Sequence, residues 1–244
     1  MGSSAIVTSQ NLWWIVGGDT NGKSTQLWGG DPPTEITSPE LPEILNQACI
    51  VTISNNEALV IAFPKLIQSP TNMAWIIDFS SQTWTPVSST LKLRKSPACG
   101  LIKTDSGEFV VLAGGSSESS TEILDLATMA WTMGPSLSEE IEKGRMVSVN
   151  NYQEVLLIGG YNEVQQKVLT SIWRLNSTMD SWQDVGQLSS ARFDPVAFSV
   201  TSGVLPSLCT ATTTTKTTTS TASSTTTTPP GTVTRRTRGR RILL

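Results

Sequence analysis

The chain has no histidine among its 244 residues. That absence removes the side chain best suited to acid–base work near neutral pH, and the commonest transition-metal ligand with it. Cysteine is scarce too. Cys49, Cys99 and Cys209 are too few for a disulfide framework. Cys49 and Cys99 each sit in an apolar strand-length run, and they read as buried free thiols in preference to a bridge. No apolar run approaches the ~18 residues that a membrane span needs. The first residues, Met1 to Trp14, lack both the basic and the long apolar regions of a signal peptide. No basic stripe marks the body of the chain, which argues against nucleic acid as a partner. The net charge is −3, and five of the arginines lie after position 234, so the body is more acidic than the total.

What is present is repetition. Val110-Val111-Leu112-Ala113 is followed by Gly114-Gly115, then Ile123-Leu124-Asp125 and Trp131. The same order returns as Val155-Leu156-Leu157-Ile158, Gly159-Gly160, Ile172-Trp173-Arg174-Leu175-Asn176 and Trp182. A worn copy runs from Leu59-Val60-Ile61 through Trp75-Ile76-Ile77-Asp78 to Trp84, and an N-terminal copy opens with Trp13-Trp14-Ile15-Val16 and Gly17-Gly18. Aligned on Gly17, Ala62, Gly114 and Gly159, the units are 45, 52 and 45 residues apart. A period of this size marks a stacked array of similar units.

Within each unit the apolar runs are short and punctuated by polar turns such as Asn55-Asn56, Asp105-Ser106-Gly107 and Asn150-Asn151. Short runs with frequent turns predict four strands per unit and no long helix. Asp78, Asp125 and Asn176 each precede Trp84, Trp131 and Trp182 by the same six residues. Asp and Asn start turns by bonding their own backbone two residues on. The fixed count predicts one hairpin geometry used three times. Each Trp is expected to wedge between neighbouring units, and each glycine pair to let the chain turn where the next unit approaches closely.

Apolar strand, Gly-Gly, apolar strand, Asp and Trp at this period resemble the kelch repeat, over about residues 5–201. Basic residues that open the next unit, at Arg94, Arg145 and Arg192, add to the likeness. The second unit departs from it with Ala62-Phe63 in place of the glycines, and the first has Gly30 and Ile36 where Asp and Trp belong. The resemblance implies an all-β, kelch-type β-propeller of about four blades of four antiparallel strands. Its blades are expected near residues 5–43, 44–90, 91–140 and 141–191, with an extra strand at 192–201. Such propellers usually close with six or seven blades. Four units therefore imply a fragment of a larger ring, an unusual closure, or completion by a partner chain, the fragment being the leading reading.

The repeat domain is taken as residues 1–204, and residues 205–244 as a Thr-rich, low-complexity segment that ends in a basic cluster. Its composition cannot bury enough apolar area to order itself, and it matches a mucin-like stalk. Asn176-Ser177-Thr178 is a sequon, which makes Asn176 a candidate N-glycosylation site.

Little else carries chemistry. Some kelch-like propellers are copper oxidases, but that chemistry needs His ligands. The resemblance therefore implies a non-catalytic module that binds another protein, with no catalytic residue, no metal and no cofactor. Its binding loops are expected after the glycine positions, at Asp19–Gln26, Pro64–Met73, Ser116–Thr121 and Tyr161–Thr170. The tail favours an extracellular or cell-surface setting. The alternatives are an intracellular adaptor, of the ubiquitin-ligase substrate-receptor or actin-associated kind, and, ranked below it, an oxidase or carbohydrate-active propeller.

Overall fold

The structure is a computed structural model that describes residues 4–7, 13–16, 23–43, 45–64 and 71–199. Gly17, Gly18, Cys209 and the Thr-rich segment lie outside the described residues. No helix occurs among the described residues, and none is long and apolar enough to cross a membrane. The all-β expectation holds: the strands form antiparallel sheets, four of them four-stranded.

The first sheet contains β1 (Ser4–Val7), β2 (Trp13–Val16), β3 (Thr25–Gly29) and β4 (Thr34–Ile36). The second contains β5 (Leu45–Thr52), β6 (Glu57–Pro64), β7 (Met73–Asp78) and β8 (Thr83–Val87). The third contains β9 (Ala98–Thr104), β10 (Gly107–Ala113), β11 (Thr121–Asp125) and β12 (Ala130–Met133). In the fourth, β13 (Arg145–Val149) and β14 (Glu154–Ile158) are separated from the outer pair by a small hairpin of β15 (Tyr161–Asn162) and β16 (Lys167–Val168). The outer pair is β17 (Ser171–Asn176) and β18 (Gln183–Gln187). Every four-stranded sheet is a simple meander, each strand pairing with the next of its unit.

Successive sheets meet at their first strands: β1 lies against β5, β5 against β9 and β9 against β13. Three apolar layers fill the spaces between them. Trp14, Ile50, Val60 and Ile77 lie between the first and second sheets. Leu59, Ile61, Leu112 and Trp131 lie between the second and third, and Val111, Met146, Leu157 and Trp182 between the third and fourth. Strands β6 and β10 are apolar at consecutive positions because both of their faces are covered.

Three findings differ from the sequence reading. First, Cys49 and Cys99 are not free thiols: they form a disulfide with Cα atoms 6.0 Å apart. They occupy β5 and β9, the first strands of adjacent sheets, so the repeat itself brings them within bridging range. Second, the three Asp/Asn turns are not identical. Asp78 Oδ1 accepts the Ser80 amide at 2.8 Å, and Asp125 Oδ1 accepts the Ala127 amide at 2.8 Å. In both, the fourth residue on, Gln82 or Met129, has positive φ. After Asn176 the positive-φ residue comes one place earlier, at Met179, and Trp182 falls just outside β18. Third, the extra strand expected at 192–201 is not formed over its described part, 192–199. No described strand flanks that segment on its far side, and Val196 and Phe198 are left 87% and 77% exposed.

Candidate functional site

The glycine pairs define one end of the sheets. Gly114, Gly115, Gly159 and Gly160 all have φ between 58° and 111°. A Cβ on Gly114 would stand 2.1 Å from the Ile141 carbonyl oxygen, and one on Gly160 2.8 Å from that of Glu142. These are crossing points, where the Ile141–Glu142 segment leading into β13 passes over the ends of β10 and β14. The amides of Gly115 and Gly160 donate across the crossing to the carbonyls of Ile141 and Arg192, at 2.7 and 2.8 Å. In the second unit, Ala62-Phe63 has no such freedom, and β6 simply continues to Pro64, paired with Leu45.

The same end carries the loops expected to bind. Ser116–Thr121 is held at its base by the Glu118–Lys92 ion pair at 3.0 Å and by the Ser120 hydroxyl, which donates to Glu118 at 2.6 Å. Burial tends to raise the Glu118 pKa, but these hydrogen bonds and the charges of Lys92 and Arg94 prevail and hold it below the usual value. Tyr161–Thr170 is built into the β15–β16 hairpin, where the Tyr161 hydroxyl donates to Gln166 at 2.9 Å. Most of the other two loops lies outside the described residues.

A pocket of about 210 Å³ opens among the strand entries. Its walls come from the start of β5, the entry to β9 with the Cys49–Cys99 bridge, the entry to β13, and Asp194. Gln47, Ser96, Lys143 and Asp194 stand one repeat apart, and each has φ between 50° and 53°. Positive φ is uncommon outside glycine, so its return at the same place shows one backbone device reused at these four positions. The entries are also chained together. The Lys143 amide donates to the Ser96 carbonyl at 3.0 Å, and the Asp194 amide donates to that of Lys143 at 3.1 Å. Residues 192–194 therefore repeat the entry of the earlier units although no strand follows among the described residues.

Two arginines that sequence reading placed together are separated here. Arg94 is fully buried and satisfied: Nε donates to Glu122 at 2.8 Å, Nη1 to the carbonyls of Gly114 and Ser120, and Nη2 to the Ser120 hydroxyl. Glu122 in turn accepts the amides of Leu91 and Lys92. Buried charges of this kind are held by complete pairing, and the pair is structural. Counted from the entry residues, the equivalents of Arg94 are Ile141 and Arg192. Arg145 lies two residues beyond its entry residue, Lys143, and lines the pocket. It joins none of the four ion pairs among the described residues, and its Nε is buried with no hydrogen-bond partner. Gln47 Oε1 and Ser96 Oγ, in the same wall, are also unpartnered. Lys143 holds its ammonium 4.6 Å above the Phe193 ring.

The remaining repeat positions are packing elements. Trp131 and Trp182 are both 8% exposed, and each bonds back across an inter-sheet layer, Trp131 Nε1 to the Ser88 carbonyl at 2.8 Å and Trp182 Nε1 to the Thr121 hydroxyl at 2.9 Å. Trp84 is half-buried beside Trp14, with its Nε1 unpartnered. Asp78, Asp125 and Asn176 lie at the opposite end of the sheets, in the hairpin turns. The Asn176 side-chain oxygen accepts the Thr178 hydroxyl at 2.7 Å, within the sequon. Among the described residues no three His, Cys, Asp or Glu side chains gather as a metal site. No protein-family model matches the chain, and no curated protein matches it.

Proposed function

We propose that this chain is a kelch-type β-propeller portion that serves as a non-catalytic module binding another protein. Four meander sheets in sequence order, joined at their first strands, support the propeller reading. So do the glycine crossings and the Trp wedges. The observation that carries the binding role is the end of the sheets bearing the glycine pairs. There the strand entries line a polar pocket and two described loops leave the sheets, while the buried Arg94–Glu122 pair is spent on structure. Loops on a rigid scaffold are where binding residues concentrate.

The Cys49–Cys99 bridge favours the extracellular setting over the intracellular adaptor, since such bridges persist in oxidising compartments. The sequon at Asn176 and the Thr-rich segment agree with that setting.

The test is selection of displayed extracellular proteins against the purified chain, followed by charge insertion at either end. Val164→Arg, at the tip of the β15–β16 hairpin where the side chain is 70% exposed, is expected to weaken binding. Ser106→Arg, in the turn at the opposite end, is expected to leave it unchanged. Binding lost only through Ser106→Arg would sink the assignment of the face. No selectable binder at all would sink the module reading.

A further inference from the structure

The pocket among the strand entries combines features that structural packing does not account for. A buried guanidinium nitrogen of Arg145 has no acceptor, and the group has no counter-ion within ion-pair distance, among the described residues. Two further polar atoms of lining residues, Gln47 Oε1 and Ser96 Oγ, are also buried without partners among the described residues. An unpaired buried polar group carries a desolvation cost, larger when it is charged. Such groups are usually satisfied by something, and a cluster of them in an open pocket points to a ligand.

The charge and the size narrow the ligand. Arg145 and Lys143 face a single lining carboxylate, Asp194, so the wall is net positive. Arg presents a planar fork that matches a carboxylate or phosphate. Ser96 Oγ can add a donor, whereas the unpartnered Gln47 atom is an oxygen that can only accept. At about 210 Å³ the space is smaller than the roughly 300–1,000 Å³ that encloses a drug-sized ligand. It suits one compact anionic group entering from a larger surface.

We propose that this pocket receives the carboxylate of an acidic side chain of the protein partner, with Arg145 as its counter-ion. The proposal rests on the interaction-module reading given above. The disulfide forms part of the wall and fixes the β5 entry against the β9 entry, so two of the three strand entries that line the pocket are set before a ligand arrives.

The experiment is an amide NMR titration of the full chain with capped glutamate (acetyl and amide termini), capped glutamine and inorganic phosphate, read on wild type, Arg145→Gln and Arg145→Lys. Capped glutamate is expected to give saturable shifts confined to the amides of 96, 98, 99 and 143–146, with a dissociation constant of order 1 mM, ordinary for a single side chain. Arg145→Gln is expected to weaken this at least tenfold, and Arg145→Lys to restore part of it. Equal shifts from capped glutamine overturn the proposal, as does unchanged titration of Arg145→Gln. Saturation by phosphate alone overturns the assignment to a protein side chain. Thermal melts of the variants, unchanged, exclude misfolding as the cause. A partner selected on the wild-type chain that binds Arg145→Gln equally well leaves the module reading standing and removes only the pocket.

Discussion

The two middle sheets and the two outer ones are written in nearly the same sequence pattern, yet they bury it differently. Strand β10 is buried continuously from Val110 to Ala113, whereas its counterpart β14 alternates, with Val155 and Leu157 buried and Leu156 and Ile158 half-buried. The residues are equally apolar. What differs is the number of faces covered by described residues: the third sheet has a layer on each side, and the fourth has its layer on the side of the third alone. Trp13, on the second strand of the first sheet, is likewise 48% exposed. A side chain's contribution to stability in this fold is therefore set by its place in the stack, and that can be tested by identical changes in the middle apolar layer and in the layers on either side of it.

The largest effect is expected for Trp131→Ala, which empties the layer between the second and third sheets and frees the Ser88 carbonyl. Loss of roughly 3–5 kcal/mol is expected from a core Trp truncation. Trp84→Ala, half-buried and with no hydrogen bond at Nε1, should cost clearly less, as read by urea unfolding. Equal losses would break the comparison.

Next comes the bridge that ties the middle pair. The Cys49–Cys99 loop closes over a separation of 50 residues, and chain entropy gives about 4 kcal/mol for a loop of that length, with 2–4 typical in practice. Cys49→Ala with Cys99→Ala, or a reductant acting on the wild type, should lower the melting temperature accordingly. A reductant that lowers the double variant's melting temperature as far as that of the wild type would show that the bridge is not the source.

Gly114→Ala and Gly159→Ala probe the crossings on either side of the third-to-fourth junction. Both need positive φ, which costs an L-residue roughly 1–2 kcal/mol before any clash. The new methyl would stand 2.1 Å from the Ile141 oxygen in the first case and 2.8 Å from the Arg192 oxygen in the second. The Arg192 segment has no strand behind it among the described residues and is expected to yield more easily. Gly114→Ala should therefore be the costlier change in thermal unfolding, and a reversed order would show that the 192–199 segment is as firmly held as the β13 entry.

The scaffold was largely legible because it repeats. Strand, glycine pair and Trp recur at fixed spacing, and each has a physical reason that sequence displays directly. The disulfide was not, because pairing of Cys49 with Cys99 depends on first strands lying side by side, which is a property of the stack. The pocket was hidden for a related cause. Arg94, Arg145 and Arg192 look equivalent in a one-dimensional alignment, but the positive-φ residues Ser96, Lys143 and Asp194 fix the true register. That shift of a few residues turns one arginine into a buried strut and leaves another facing open space. The repeated positive φ at Gln47, Ser96, Lys143 and Asp194 had no compositional sign, since none of them is glycine.

The smallest expected effect concerns Glu118, which clamps the loop after β10. Its folded pKa is depressed, with burial opposing and the Ser120 and Lys92 hydrogen bonds prevailing. A carboxylate with a lowered folded pKa stabilises the native state fully above its unfolded value, near 4.5. That contribution is lost as pH falls through the folded pKa, so it fades in the acid limb below about 4.5. The side chain is 27% exposed and its partner Lys92 44%, which keeps the pair's worth below ~1 kcal/mol. Glu118→Gln should lower stability slightly at pH 7 and flatten the fall between neutral and acid pH, measured by urea midpoints across that range. A Glu118→Gln profile parallel to that of wild type would show that the acid sensitivity arises elsewhere in the stack.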